Sequence, residues 1–163
     1  MIALVPDEWE SPWQPRHQVL TRLLRYFFAV VWCTPAPPWW RQSLLGTAPQ
    51  NQGINYGPPF APGFTIYRPE SYLPEVGRLR FLAHWSRQQR LLRTQQILLN
   101  QGCRKTILYL WRPEYNWALD LIDYDLSCYH IDDEYTFSEV EKPMDEQEAR
   151  TISRVDQVFV VSQ

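Results

Sequence analysis

Short apolar runs alternate with longer amphipathic stretches along most of this chain. Runs of four to eight apolar residues that end at a turn signal predict buried strands, and they occupy residues 2–5, 28–34, 106–111, 126–131 and 158–161. Between them, apolar positions recur at helical spacing, which predicts helices over residues 15–27, 79–101, 113–122 and 143–154. Alternation of this kind is typical of parallel sheets. We therefore expect an α/β fold, with a parallel sheet of about six strands and helices on both faces.

The middle of the chain breaks this pattern. Residues 35–74 contain nine of the 14 prolines and four of the six glycines. We interpret residues 42–74 as a Pro/Gly-rich loop insertion, with one short strand at residues 64–67, inside a single domain that spans residues 1–163. Because the last predicted strand is followed by only two residues, we also expect the chain to continue past Gln163 in a longer parent protein.

Composition makes several classes of protein less favourable as interpretations. The net charge is −2, whereas a nucleic-acid-binding domain normally carries a basic surplus, so we expect no nucleic-acid partner. The longest apolar run has eight residues, far below the roughly 20 that a membrane span needs. The three cysteines lack a CxxC spacing, which predicts reduced thiols in a cytoplasmic protein and no metal site.

The charges are also segregated along the chain. Residues 76–113 contain eight of the 16 basic residues and no acid. The basic helix over residues 78–93 is compatible with peripheral contact to an anionic membrane surface. An amphipathic helix packed on a core shows the same pattern, so both interpretations stay open.

Ligands of parallel α/β sheets bind beyond the carboxyl ends of the strands. Asp132 and Asp133 follow the strand predicted at residues 126–131, where a carboxylate can act as a general base. An Asp pair that caps a helix in an ordinary turn is an equally good interpretation. His130 is a candidate for substrate binding, but its position within the strand favours a hydrogen-bonded core histidine.

The loop after the first strand offers a second group of candidates for substrate binding. They are Trp9, Trp13, Gln14, Arg16 and His17. Indole faces stack on sugar rings, and Arg and Gln bind hydroxyls or phosphates. The alternative is that the tryptophans fasten the loop to the core. We favour function for the loop as a unit and packing for any single residue. Arg112 is a weaker binding candidate, since a surface ion pair with Glu114 is the commoner arrangement.

Several of these segments resemble a known family. The run EARTISRVDQVFVVS at residues 148–162 resembles the helix–strand unit that closes the N-terminal domain of many GT-B glycosyltransferases. The opening PWQPRHQ at residues 12–18, preceded by Trp9, resembles the start of a bacterial subgroup related to teichuronic acid and capsule sugar transferases. The run YHIDDEY at residues 129–135 is similar to that subgroup's turn after its fifth parallel strand, and Trp111-Arg112-Pro113 occupies the place of the preceding strand-end loop.

The resemblance implies a Rossmann-like, acceptor-side domain, the N-terminal half of a GT-B fold. It implies transfer of a sugar from a nucleotide-sugar donor to a glycan or lipid-linked acceptor in surface polysaccharide synthesis. Asp132 and Asp133 are then the catalytic candidates, and no metal or cofactor is expected beyond the nucleotide-sugar co-substrate. The donor would bind a C-terminal domain that this sequence lacks, and the enzyme would work in the cytoplasm, with peripheral contact to the inner face of the membrane.

Two alternatives stay open. The chain could be a non-catalytic partner or binding module that docks a separate donor-binding domain. It could also be a flavodoxin-like small-molecule binder, an interpretation weakened by residues 6–14, which contain no glycine and no phosphate-cradling Ser/Thr run.

Overall fold

The computed structural model describes residues 1–35, 53–56, 61–70, 73, 80–131 and 145–160. Its strands are β1 (Ile2–Leu4), β2 (Val30–Cys33), β3 (Gly53–Tyr56), β4 (Phe64–Arg68), β5 (Ile107–Leu110), β6 (Leu126–Ile131) and β7 (Gln157–Val160). Its helices are α1 (Pro15–Leu23), α2 (Arg80–Asn100), a 3-10 helix (Pro113–Asp120) and α3 (Asp145–Ile152).

All seven strands form one sheet in the order β3-β4-β2-β1-β5-β6-β7. Every neighbouring pair is parallel except β3 with β4. The six parallel strands therefore follow the Rossmann order, in which the chain runs outward from β1 on one side and then outward from β5 on the other. The predicted Rossmann-like parallel sheet is confirmed.

The sheet is buried on both faces because β1 and its neighbours lack polar positions. Ile2 and Leu4 belong to a core under α2 and the 3-10 helix, where they meet Leu91 and Leu98 of α2. Ala3 and other alternate residues face a second core together with Leu20 of α1. Successive side chains of a strand point to opposite faces, so continuous apolar strands need helices on both sides, as predicted.

The sequence-based prediction was incomplete in the Pro/Gly-rich segment. We expected one strand within residues 42–74, and the described residues of this segment form two, β3 and β4. β3 was missed because it has four residues and pairs antiparallel along the outer edge of β4, so it needs neither a long apolar run nor a crossover helix. The short helix predicted at residues 113–122 is a 3-10 helix.

Gly63, directly before β4, allows its backbone to lie close to the segment that precedes β2. Its φ is +89°, and an added Cβ would lie 2.8 Å from the carbonyl oxygen of Phe28. The Gly63 carbonyl accepts a hydrogen bond from the Val30 N–H at 3.0 Å, so the segment cannot move away without losing a sheet contact.

We expect Gly63→Ala to lower the free energy of unfolding by about 2–3 kcal/mol, because it adds a carbonyl clash to left-handed backbone strain. Gly102→Ala is the matched control: Gly102 has φ +84° with nothing within 4 Å of an added Cβ. Its cost should be about 1 kcal/mol. Urea denaturation measures both, and equal costs would show that the close approach contributes nothing.

Candidate functional site

A crevice opens where the direction of the sheet reverses. The reversal lies between β1 and β5. The strand order runs outward from β1 through β2 on one side and outward from β5 through β6 on the other. Connections leave adjacent strands toward opposite faces at such a switch point, which creates a ligand crevice beyond their carboxyl ends. Here the cavity has a volume of about 260 Å³ and is lined by the ends of β1, β2 and β4, by α2 and by the 3-10 helix.

A polar stripe on α2 forms one wall of the crevice. Ser86, Arg90 and Thr94 follow one another at a spacing of four residues, and all three are buried. Residues at this spacing share one helix face. The middle of the core-facing side of α2 is therefore polar, and Arg90, Thr94 and the neighbouring Arg87 line the cavity.

The two arginines are held in different ways. The Arg90 guanidinium donates a hydrogen bond to the carbonyl oxygen of Leu73. Arg90 is only 8% exposed. The Arg87 guanidinium carbon lies 4.8 Å from the centroid of the Trp117 ring, in a cation–π arrangement. Because Trp117 comes from the 3-10 helix, this pair joins two walls of the crevice and places positive charge beside an aromatic face.

A hydrogen-bonded network supports the β4 side of the crevice. The Tyr67 hydroxyl donates to Oε2 of Glu70 at 2.7 Å, and Arg93 of α2 forms an ion pair with the same carboxylate. Burial, and then the adjacent Glu70 carboxylate, raises the pKa of Tyr67 above its usual range. Tyr67 is therefore a neutral hydrogen-bond donor near pH 7, and Glu70 ties the end of β4 to α2.

The remaining lining favours binding over nucleophilic chemistry. Burial raises the pKa of the Cys33 thiol far above its usual range, so this cysteine is not a thiolate near neutral pH. The Tyr115 hydroxyl donates to the Val5 carbonyl at 3.1 Å, which fastens the 3-10 helix over the end of β1. The crevice thus offers guanidinium, hydroxyl and aromatic groups on a rigid frame, a set suited to a small polar ligand with an anionic group.

The structure places the predicted aromatic loop on the opposite face of the sheet. Trp9 packs against the second core, and its ring centroid lies 5.3 Å from that of Trp32. His17 is fully buried, whereas Trp13 remains 53% exposed. Arg16 pairs with Asp7 at 3.0 Å and donates to Gln14. None of Trp9, Trp13, Gln14, Arg16 and His17 lines the crevice described above.

His17 fixes the start of α1. Its Nδ1 accepts the backbone N–H of Gln14 at 3.1 Å, so the ring proton lies on Nε2, which faces the Trp9 carbonyl oxygen at 3.2 Å. The neutral ring satisfies both groups, and protonation would turn the Nδ1 acceptor into a donor against an N–H. Burial, the largest cause, lowers the pKa of His17.

We expect the folded state to lose stability as the pH falls below about 6.5, the ordinary histidine pKa. In that range the unfolded chain takes up a proton that folded His17 does not. The free energy of unfolding therefore decreases as the pH is lowered. His17→Asn, which cannot titrate, should flatten the slope. Urea denaturation at several pH values measures the slopes, and a steep slope in the Asn variant would assign the effect to another group.

The other predicted site residues lie apart from the crevice or outside the described part of the chain. His130 is buried, and its Nδ1 lies 2.8 Å from the Tyr109 hydroxyl. Its ring stacks on Trp111 with centroids 4.0 Å apart, which matches the core histidine interpretation. Arg112 precedes the 3-10 helix in extended conformation. Asp132 and Asp133 lie outside the described residues.

The acid in the segment that most resembles the glycosyltransferases connects two strands. Oδ2 of Asp156 accepts hydrogen bonds from the Ser127 backbone N–H at 2.8 Å and from its hydroxyl at 2.7 Å. These bonds lower the pKa of Asp156. Asp156 precedes β7 and Ser127 lies in β6, so this acid aligns the two strands. The observed role of Asp156 is therefore structural.

The crevice residues of α2 were not among the predicted site residues. Arg87 and Arg90 were seen only as part of a basic helix with two possible faces. The spacing of Ser86, Arg90 and Thr94 places them on one helix face in the sequence, but a polar helix face normally meets solvent. Only the fold shows that this face is buried and borders the crevice.

Comparisons with known proteins do not assign this chain. No family model, curated protein or solved structure matches it. Within the described part of the chain, no helix is long and apolar enough to cross a membrane, and no cluster of three or more His, Cys, Asp or Glu side chains forms a metal site.

Proposed function

We propose that this chain is the acceptor-side domain of a GT-B-type glycosyltransferase and that the switch-point crevice holds a phosphate-bearing sugar unit of the acceptor. The observation that carries this proposal is the pairing of the Arg87 guanidinium with the Trp117 ring inside the crevice, 4.8 Å apart. A guanidinium binds phosphate oxygens in a planar fork, and an indole stacks on the apolar face of a sugar ring.

The size of the crevice supports a small ligand. Its volume of about 260 Å³ is just below the roughly 300–1,000 Å³ of sites for drug-sized molecules. That space suits one sugar ring with its phosphate, while a longer acceptor would extend beyond the edge of the sheet. The buried Arg90 adds positive charge from the same wall of α2.

Sugar transfer breaks the bond between the donor sugar and its phosphate and forms a glycosidic bond to an acceptor oxygen. The acceptor hydroxyl loses a proton to a base, and the nucleotide leaves with the bonding electron pair. Asp132 or Asp133, directly after β6, is our proposed base. The donor would be held by a second domain. The three cysteines are unpaired, as is common in the reducing cytoplasm, where we place the reaction.

Binding is tested on this chain by calorimetry with sugar 1-phosphates and with the same sugars lacking phosphate. A charge-assisted contact predicts at least a tenfold preference for the phosphorylated form. Equal affinities would contradict the assignment of the crevice.

Transfer is tested on the product of the whole reading frame that contains this chain, incubated with nucleotide sugars and a panel of glycan and polyprenyl-phosphate acceptors. Release of nucleotide that depends on both donor and acceptor supports the enzyme. Binding in the crevice without any release would favour the non-catalytic partner or binding module.

A further inference from the structure

A seam of side chains with coiled-coil spacing runs along the outer face of α2. Its residues are spaced alternately by four and by three positions: Phe81, Trp85, Gln88, Leu92, Gln95 and Leu99. This is the spacing of the a and d positions in a two-stranded coiled coil. The seam is about 27 Å long. Its four apolar residues are 79%, 43%, 42% and 52% exposed, respectively.

The seam is separate from the contacts that hold α2 on the sheet. Leu91, Ile97 and Leu98 anchor the helix to the core from its inner side. A helix with one core-facing side normally carries charged and polar residues on the opposite side. Large apolar side chains exposed there mark an interaction surface.

The seam is complementary to itself when two helices run antiparallel. With the two-fold axis at position 90, Phe81 faces Leu99 of the second copy and Gln88 faces its Leu92. Trp85 then faces Gln95 of the second copy, whose side-chain amide can accept the indole N–H. Every seam residue meets another seam residue, and the two most exposed apolar ones, at opposite ends of the helix, cover each other.

Charge favours this antiparallel arrangement over a parallel one. Arg80 is exposed beside the seam, whereas Arg87 and Arg90 line the crevice and Arg93 pairs with Glu70. Parallel helices would place the two copies of Arg80 side by side. Antiparallel helices separate them by about 30 Å and bring each one to the carboxyl end of the other helix, where the helix dipole favours a cation.

The size of the seam fits a weak dimer. From the usual areas of these side chains, the seam exposes roughly 500 Å² per chain, so that pairing two seams buries about 1,000 Å². This area is the lower end of the range for specific interfaces, and it predicts a Kd on the order of 10 μM.

We propose that two copies of this chain associate through the outer face of α2 as an antiparallel, two-fold symmetric helix pair. Arg87 and Arg90 lie on the other side of the helix, so both crevices stay open in the dimer. The seam is defined independently of any sugar chemistry.

Sedimentation velocity over roughly 1–200 μM protein tests the association, and we expect a monomer at the lowest concentration and a dimer at the highest. Phe81→Ser should raise the Kd of the dimer at least about tenfold, because each dimer loses two apolar contacts. Phe28→Ser is the matched control, because Phe28 is 77% exposed but lies between α1 and β2, away from α2. It should leave the Kd unchanged. Leu92→Gln provides a second break in the seam, and thermal melting checks that each variant is folded.

Cross-linking tests the orientation. In the antiparallel pair Leu82 lies beside Gln96 of the second copy, whereas the two copies of Leu82 are at least about 21 Å apart. A short bis-maleimide should therefore cross-link a mixture of Leu82→Cys and Gln96→Cys chains. Leu82→Cys chains alone should give only the background of the wild-type chain, which has three cysteines of its own.

Three results would overturn the proposal. The first is a chain that stays monomeric at the highest concentration, including one that instead co-sediments with lipid vesicles. The second is equal weakening in the Phe28 and Phe81 variants, and the third is cross-linking of Leu82→Cys chains alone above the background. No sugar is present, so these results are separate from the outcome of the transfer assay.

Discussion

Trp32→Ala is expected to lower the free energy of unfolding by about 3–5 kcal/mol. Trp32 lies in β2, near the middle of the sheet, and is fully buried. Its ring centroid is 5.3 Å from that of Trp9 and 4.7 Å from that of His17. Removing the indole therefore opens a cavity between the sheet and the loop that leads into α1, and the loop loses its main support.

The expected loss is one of packing rather than of hydrogen bonding. Among the described residues, the indole Nε1 of Trp32 has no hydrogen-bond partner, so truncation leaves no acceptor there unsatisfied. Trp32→Phe retains much of the ring volume and removes the unpaired N–H, and we expect it to cost less than about 1.5 kcal/mol. Thermal unfolding should show a midpoint about 10 °C lower for the alanine variant of a chain this size.

Trp13→Ala is the control variant for Trp32→Ala, because it removes an indole from the same aromatic loop cluster at a largely exposed position. Trp13 is 53% exposed, and its removal should cost about 1 kcal/mol or less. If Trp32→Ala proved as mild as Trp13→Ala, the aromatic cluster would not hold the loop. If both follow the expectation, Trp13 is the one tryptophan of the loop that is free enough to contact a ligand without being needed for the fold.

The strands other than β3 could be predicted because each is a short, mainly apolar run between breakers. The prediction for residues 126–131 has the same bounds as β6, since Asp125 precedes this run and acidic residues follow it. Helix ends were less accurate. The first helix was predicted over residues 15–27, whereas α1 ends at Leu23, because the apolar periodicity continues into a turn that packs beside Gly63.

The candidate site could not be read from the sequence in the same way. The crevice joins strand ends, α2 and the 3-10 helix, which lie far apart in the chain. Only the strand order decides that these segments meet. The aromatic loop drew attention because tryptophans are common in sugar sites, yet Trp9 packs against the core on the α1 face of the sheet. A residue type can suggest a chemistry, but tertiary packing decides which face of the sheet it serves.

Arg87→Gln is expected to weaken binding of sugar 1-phosphates about 10–100-fold, the effect of losing one charge-assisted hydrogen bond. Arg87 is partly exposed and its guanidinium lies against the Trp117 ring. It can therefore reach a ligand without leaving the wall of the crevice. Arg87→Lys keeps the charge but loses the planar fork, so we expect an intermediate affinity.

Arg104→Gln is the matched control, because it removes the same charge from an exposed position outside the crevice lining. Calorimetry of the two Gln variants separates a local contact from the general attraction of a basic protein for an anion, which salt screens equally for both. A local contact weakens phosphate binding only in Arg87→Gln and leaves the affinity for unphosphorylated sugars unchanged. Equal weakening in both variants would mean that the basic stretch as a whole attracts the anion. That result would contradict the assignment of the crevice as the binding site.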